Sequence, residues 1–207
     1  MAKYTLSYFN IRARAEVSRF VLAFAGIEYE DRRINQSDWP SEKQSGRYPF
    51  NRLPTLEVDG AVLSESCTVA RFLARKHGLY ADDALSQARI DMVADVVDDI
   101  YSKLQAMFLE KDEAKKKEMM DKNYGEYFPN LLKCLEKLLV QNQGGDGYFV
   151  GDKVTLADLS FTAITYNLVE WKSDVFKDCP KLAALKTRVE KLPRIAEWMK
   201  KRPETPF

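Results

Sequence analysis

The chain changes its hydrophobic grammar once, near residue 80, and that change limits the fold more than any other feature. Before it, a period of two and a period near 3.6 alternate. Residues 4–8 read as a strand, and 14–26 (RAEVSRFVLAFAG) as a helix with apolar positions at 17, 20, 21 and 24 and Gly26 as its stop. Residues 28–33 (EYEDRR) alternate as an edge strand does, and 37–45 offer a short helix. Residues 54–58 and 61–63 flank Asp59-Gly60, a strong hairpin signal, and 66–78 form a helix ending in glycine. The order βαβ, short helix, ββα implies a parallel pair with a right-handed crossover plus an antiparallel hairpin.

From Asp83 onward strand signals vanish. Residues 84–110 carry one long helical pattern, and 111–142 carry another, with a kink or break expected at Pro129. After a glycine-rich loop at 143–147, helices are expected over 155–170, 180–192 and 193–201. The fold class is therefore an α/β domain with a mixed four-stranded sheet over 1–79, a linker at 79–82 and an all-α domain over 83–207. Thr155 and Asp158 have capping-box spacing, and Val154 and Leu159 have that of a hydrophobic staple; this is a folding device rather than a binding site. Lys115, Lys116 and Lys117 read as a solvated face.

Composition excludes several function classes. Lysine plus arginine number 32 against 31 acids, so no broad field draws nucleic acid or an anionic membrane. No run approaches the roughly 20 apolar residues that span a bilayer, and no secretory signal is visible. Cys67, Cys134 and Cys179 are odd in number and widely spaced, which argues for a reducing, cytoplasmic setting and against a disulfide framework. The single histidine, His77, ends a helix as a C-terminal cap, so histidine metal sites and Ser-His-Asp triads have nothing to use. Asp91, Asp95 and Asp98 form a stripe on the long helix, read as a solvated or interface face in preference to a divalent-ion site.

Four stretches could carry chemistry. In Arg52-Leu-Pro-Thr-Leu-Glu57 a proline opens a strand. It is either an ordinary initiator or a cis proline that turns the backbone groups of Leu53 toward an extended peptide. Ser66 opens a helix, where it either caps the N-terminus or joins it in binding a carboxylate, with Glu65 set to meet an ammonium. Trp39 and Lys43 lie four apart in a polar segment, as a loop anchor or as donors to a carboxylate. Tyr8 ends the first strand beside a loop carrying Arg12 and Arg14. No protein nucleophile is paired with a base, yet a tyrosine hydroxyl can donate to a ligand's thiolate and lower its pKa. A thiol near 8.5 is about 3% ionised at pH 7, whereas one near 6.5 is roughly three-quarters ionised.

Taken together, these stretches resemble the cytosolic glutathione transferases, most closely the sigma class, which includes glutathione-dependent prostaglandin D synthases and cephalopod transferases. The matching segments are YTLSYFNIRARAE, DWPSEK, RLPTLEVDG, ES before SCTVARFLA, and GDGYFVGDKVTLADL. The resemblance implies a thioredoxin-like N-terminal domain followed by an all-helical one. It also implies glutathione as co-substrate, with no permanently bound cofactor and no metal. Tyr8 would hold the thiolate with Arg14 in support, and Trp39 and Lys43 the glycine carboxylate. Leu53, before Pro54, would pair with the cysteinyl backbone, and Glu65 and Ser66 would take the γ-glutamyl head. Asp99 would reach the glutathione of the partner in a homodimer. Phe9, Ile11, Ala13, Met107, Phe108 and Phe207 would meet a hydrophobic co-substrate.

The function implied is conjugation of glutathione to hydrophobic electrophiles. Isomerisation of prostaglandin H2 to prostaglandin D2 is the alternative, and a crystallin-like structural role is disfavoured by the retained Tyr8, Trp39, Lys43 and Ser66. A glutaredoxin-like module would need a cysteine within 8–14, and there is none. Two positions depart from the family: Glu65 stands where most relatives have glutamine, and Ala13 where glycine is common. Alanine costs little there unless the turn needs a positive φ.

Overall fold

The computed structural model describes residues 3–205, which divide into two compact units. One takes the chain up to Gly78 together with the residues from Pro193 onward; the other takes Leu79–Leu192. The expected helical domain over 83–207 thus parts at Pro193. Among the described residues, no helix is long and apolar enough to cross a membrane.

The first unit holds strands β1 (Tyr4–Phe9), β2 (Glu30–Ile34), β3 (Thr55–Val58) and β4 (Ala61–Ser64), in the sheet order β2-β1-β3-β4. β1 runs parallel to β2 and antiparallel to β3, and β3 is antiparallel to β4, so the sheet is mixed as expected. The hairpin turn needs positive φ at both central residues, and Asp59 (49°) and Gly60 (81°) supply it. Helices α1 (Glu16–Ala25), α2 (Trp39–Lys43) and α3 (Ser66–Lys76) complete the α/β pattern. Gly26 stops α1 in the left-handed conformation, and its N–H bonds back to Leu22 and Ala23. His77 is the C-cap of α3; burial first, then Lys76, lowers its pKa. Leu6, Leu22, Leu56 and Leu73 are fully buried and form the core of this unit.

The second unit is helical: α4 (Ala84–Leu109), α5 (Glu113–Lys122), α6 (Phe128–Gln141), α7 (Leu156–Trp171) and α8 (Pro180–Glu190). The break expected at Pro129 comes earlier. A π-helical turn, Asn123–Tyr127, joins α5 to α6, and Pro129 occupies the first turn of α6, where its missing N–H costs nothing. α7 is buried over most of its circumference, and the capping box at its start is formed. Asp158 accepts from the backbone N–H of Phe149 and Thr155 (2.8 Å each) and from the Thr155 hydroxyl (2.9 Å). Val154 and Leu159 are both buried beside it.

The final helix, α9 (Pro193–Lys201), belongs to the first unit because it packs on α1. Trp198 donates its indole N–H to Glu16 at 2.9 Å, and Arg202 donates to the same carboxylate oxygen at 2.8 Å.

Candidate functional site

Sheet register decides which residues meet. Ser7 lies opposite Thr55, and Thr55 opposite Ser64. At that one end of the sheet β1 runs out into Tyr8 and Phe9. There β3 begins just after Leu53-Pro54, and β4 runs out into Glu65 and Ser66. Phe9 also pairs with Ile34, after which the chain passes to Trp39 and Lys43. Residues separated by tens of positions therefore collect at the carboxyl ends of β1, β2 and β4, where α/β sheets commonly bind ligands.

The loop after β1 is pinned from below. Arg19 on α1 is fully buried and donates from Nη1 to the carbonyl oxygens of Ile11 (2.8 Å) and Arg12 (3.2 Å). Its Nε donates to Asp31 on β2 at 3.1 Å, and Nη1 also meets Glu16 at 3.2 Å. Burial works against charge on Glu16, but Arg19 and Arg202 outweigh it and hold its pKa below the usual carboxylate value. The loop then makes one tight turn, Ala13–Ala15, that contains Arg14. Ala13 is buried with φ 39°, so this turn does require a left-handed residue, and alanine there carries strain of about 1–2 kcal/mol. Tyr8 is buried at 4% exposure, its ring 5.7 Å from that of Phe9.

α2 is clamped near its C-terminal end. Glu42 accepts from Arg32 on β2 (2.8 Å) and from the Tyr48 hydroxyl (2.6 Å). Burial, then that bond to Glu42, raises the Tyr48 pKa, so the phenol stays a donor. Trp39 is thereby set edge-on to Phe9 (5.6 Å) and Tyr48 (5.1 Å), half-buried, with Lys43 exposed one turn further on. Trp39 thus anchors α2 to the end of β1.

At the far side of the same sheet end the Leu53–Pro54 peptide bond is cis. Glu65 is the N-cap of α3 with φ 71° and ψ 119°, a conformation that a glutamate rarely adopts. Its side chain makes no capping bond and pairs instead with Arg52 at 3.2 Å. Ser66 is half-buried at the first position of α3.

The remaining candidates are divided between the two units. Phe9 and Ile11 are half-buried and Ala13 is buried, all in the first unit. In the second unit, Met107 is fully buried and its sulfur accepts from Asn123 (3.4 Å); Phe108 and Asp99 are exposed on α4. Phe207 lies outside the described residues. Asp91 of the acidic stripe accepts from the Tyr80 hydroxyl at 2.5 Å. Sequence reasoning missed Glu16, Arg19, Glu42, Tyr48 and Arg52, which place the loop, α2 and Glu65. The i, i+3 spacing of Glu16 and Arg19 was the one signal in view.

Known proteins share both domains of this fold. The model for the glutathione S-transferase N-terminal domain matches residues 4–75, and that for the C-terminal domain matches 98–202. Hematopoietic prostaglandin D synthase of Gallus gallus is 40% identical over 99% of both chains. S-crystallin SL11 of Nototodarus sloanii is 37% identical over the full length of both. A solved structure of rat hPGDS complexed with a quinoline superposes with a TM-score of 0.90 at 35% identity, covering 99% of this chain and all of that one.

Proposed function

The chain belongs to the glutathione S-transferase family, and from that premise we propose that it conjugates the thiolate of glutathione to hydrophobic electrophiles. The observation that carries the reading is the convergence of Tyr8, Trp39, Leu53-Pro54, Glu65 and Ser66 at one end of one sheet.

In this reading the Tyr8 hydroxyl donates to the glutathione sulfur and the Arg14 guanidinium adds positive charge, so the thiolate persists near neutrality. Trp39 and Lys43 take the glycine carboxylate. The Leu53 backbone pairs with the cysteinyl part in the manner of an added strand. Ser66 and the start of α3 take the γ-glutamyl carboxylate, and Glu65 takes its ammonium. Phe9 and Ile11, half-buried beside Tyr8, offer apolar surface to the electrophile. Bringing the two reactants together then supplies much of the rate through proximity.

Two copies of the chain are part of the proposal. Phe50 is 62% exposed, and an apolar groove on the second unit is lined by Met92, Val96, Leu131, Cys134 and Leu138, surfaces that a second copy would cover. Three free cysteines support a cytoplasmic setting. Isomerisation of prostaglandin H2 is the second reading, supported by the relatives named prostaglandin D synthase.

The test is the pH dependence of the Tyr8→Phe variant with glutathione and a chlorinated nitroaromatic. Returning the thiol from about 6.5 to about 8.5 lowers its ionised fraction at pH 7 roughly 25-fold, and the rate should fall alike. Near pH 9.5 the gap should close. Equal rates for both proteins across pH 6–8 would remove the tyrosine from the mechanism, and product analysis with prostaglandin H2 separates the two reactions.

A further inference from the structure

The ion pair between Arg52 and Glu65 bears on how the γ-glutamyl head is held. Arg52 Nε lies 3.2 Å from Glu65 Oε1, and the two side chains are 67% and 47% exposed, so both charges are open to solvent beside the start of α3. Glu65 reaches this position through its positive φ at the start of α3. The head of glutathione is a zwitterion. With its carboxylate at Ser66 and the α3 N-terminus, and its ammonium at Glu65, two carboxylates come within a few ångströms of each other. That separation is shorter than the screening length of about 8 Å at physiological ionic strength, so their repulsion survives. A neutral amide at position 65 would avoid it, and this chain has an acid there.

We propose that Arg52 is a positioning and specificity-determining residue: it offsets the Glu65 charge and thereby makes an acidic residue compatible with an α-amino-acid head group. The Arg52 side chain also extends over the Phe50 ring, 6.0 Å from its centroid, which limits the directions the guanidinium can take. An exposed ion pair adds little to folding, so the consequence belongs in ligand binding rather than in melting. This inference rests on the glutathione reading and adds to it the residue that tunes head-group recognition.

The experiment compares Arg52→Gln, Arg52→Lys, Glu65→Gln and the Arg52→Gln/Glu65→Gln double variant. It records KM for glutathione and kcat, with competition by a tripeptide whose γ-glutamyl residue is replaced by γ-aminobutyrate, which lacks the head carboxylate. Arg52→Gln should raise KM roughly tenfold, about 1.4 kcal/mol, with kcat little changed. Arg52→Lys should keep most of the affinity. Adding Glu65→Gln to Arg52→Gln should restore it, because the uncompensated acid is gone. The γ-aminobutyryl peptide should bind Arg52→Gln as well as it binds the wild type. An unchanged KM in Arg52→Gln, or a double variant no better than that single one, overturns the inference while leaving the glutathione reading intact. A wild-type protein that does not bind glutathione overturns both.

Discussion

Replacing Glu16 with glutamine tests the buried network beneath the β1–α1 loop. Glu16 is 1% exposed, and its side chain accepts three donors: Trp198 and Arg202 at Oε1, and Arg19 at Oε2. Glutamine keeps one acceptor. With the amide oxygen toward Trp198 and Arg202, the amide nitrogen faces Arg19 Nη1, donor against donor. The charged bond from Arg19 is lost, the Arg202 bond becomes charge–neutral and the Trp198 bond neutral–neutral, where each bond to a charged group contributes about 1.5–3 kcal/mol. Arg19 is not stranded, because Asp31 and the carbonyls of Ile11 and Arg12 remain. The expected cost is therefore about 3 kcal/mol, the low end of the range for breaking a buried pair. For a chain of this size that lowers Tm by roughly 6–12 °C. Trp198→Phe removes one donor and should cost about half as much.

Because the folded Glu16 pKa lies below its unfolded value, the wild-type advantage over Glu16→Gln is full above about pH 4.5. It shrinks as pH falls through the folded pKa. Urea unfolding of both proteins at pH 7 and across the acid range measures this directly. A difference below about 1 kcal/mol at pH 7, or one that grows in acid, would refute the account of the network.

Asp158 should behave oppositely with pH. Burial pushes its carboxyl up to about 6, against three donated hydrogen bonds. Asp158→Ala orphans two buried backbone N–H groups and should cost about 3 kcal/mol, with kcat of the folded protein unchanged. The gap to wild type should be widest on the acid side of pH 6 and narrow as pH rises through it, as urea midpoints at pH 5 and 7.5 would reveal. Ala13→Gly trades the strain at φ 39° against about 0.4–1 kcal/mol of unfolded-chain entropy, so thermal melting should show it neutral or stabilising by up to about 1 kcal/mol. Ala15→Gly, at φ −82°, has no strain to relieve and should destabilise; equal losses at 13 and 15 would contradict the turn assignment.

Local chemistry made most of the fold legible. The Asp59-Gly60 turn, the Gly26 stop and the Thr155/Asp158 box act within a few residues, so sequence spacing reports them. The break before α6 shifted because a π-turn can pass through Gly125 before Pro129 is reached, and Pro129 then fits the first turn of the next helix. The departure of α9 from the helical half could not be read, since it depends on Trp198 meeting Glu16 across 182 positions. The same holds for the site. The candidate residues were each ambiguous alone and became specific only through resemblance, while Glu42 and Arg52 act through partners that no periodicity reveals. At Ala13 the expectation of a small cost depended on φ, and φ proved positive.

The end of the sheet that gathers these residues has a physical reason to favour the proposed ligand. β1 leads into the turn before α1, and β4 leads directly into α3. Both helices therefore begin at this end, with the positive ends of their dipoles. A tripeptide carrying two carboxylates and a developing thiolate suits that field. The β1–α1 segment adds Arg14 to the chain that follows β1, and α2 adds Lys43 to that which follows β2. An acid at position 65 runs against the trend, which is why it needs a nearby cation when a neutral amide would not. Reversing Arg52 should therefore raise the KM for glutathione more than reversing Lys115 or Lys117, which are exposed on α5 in the second unit, where Lys117 already pairs with Asp121.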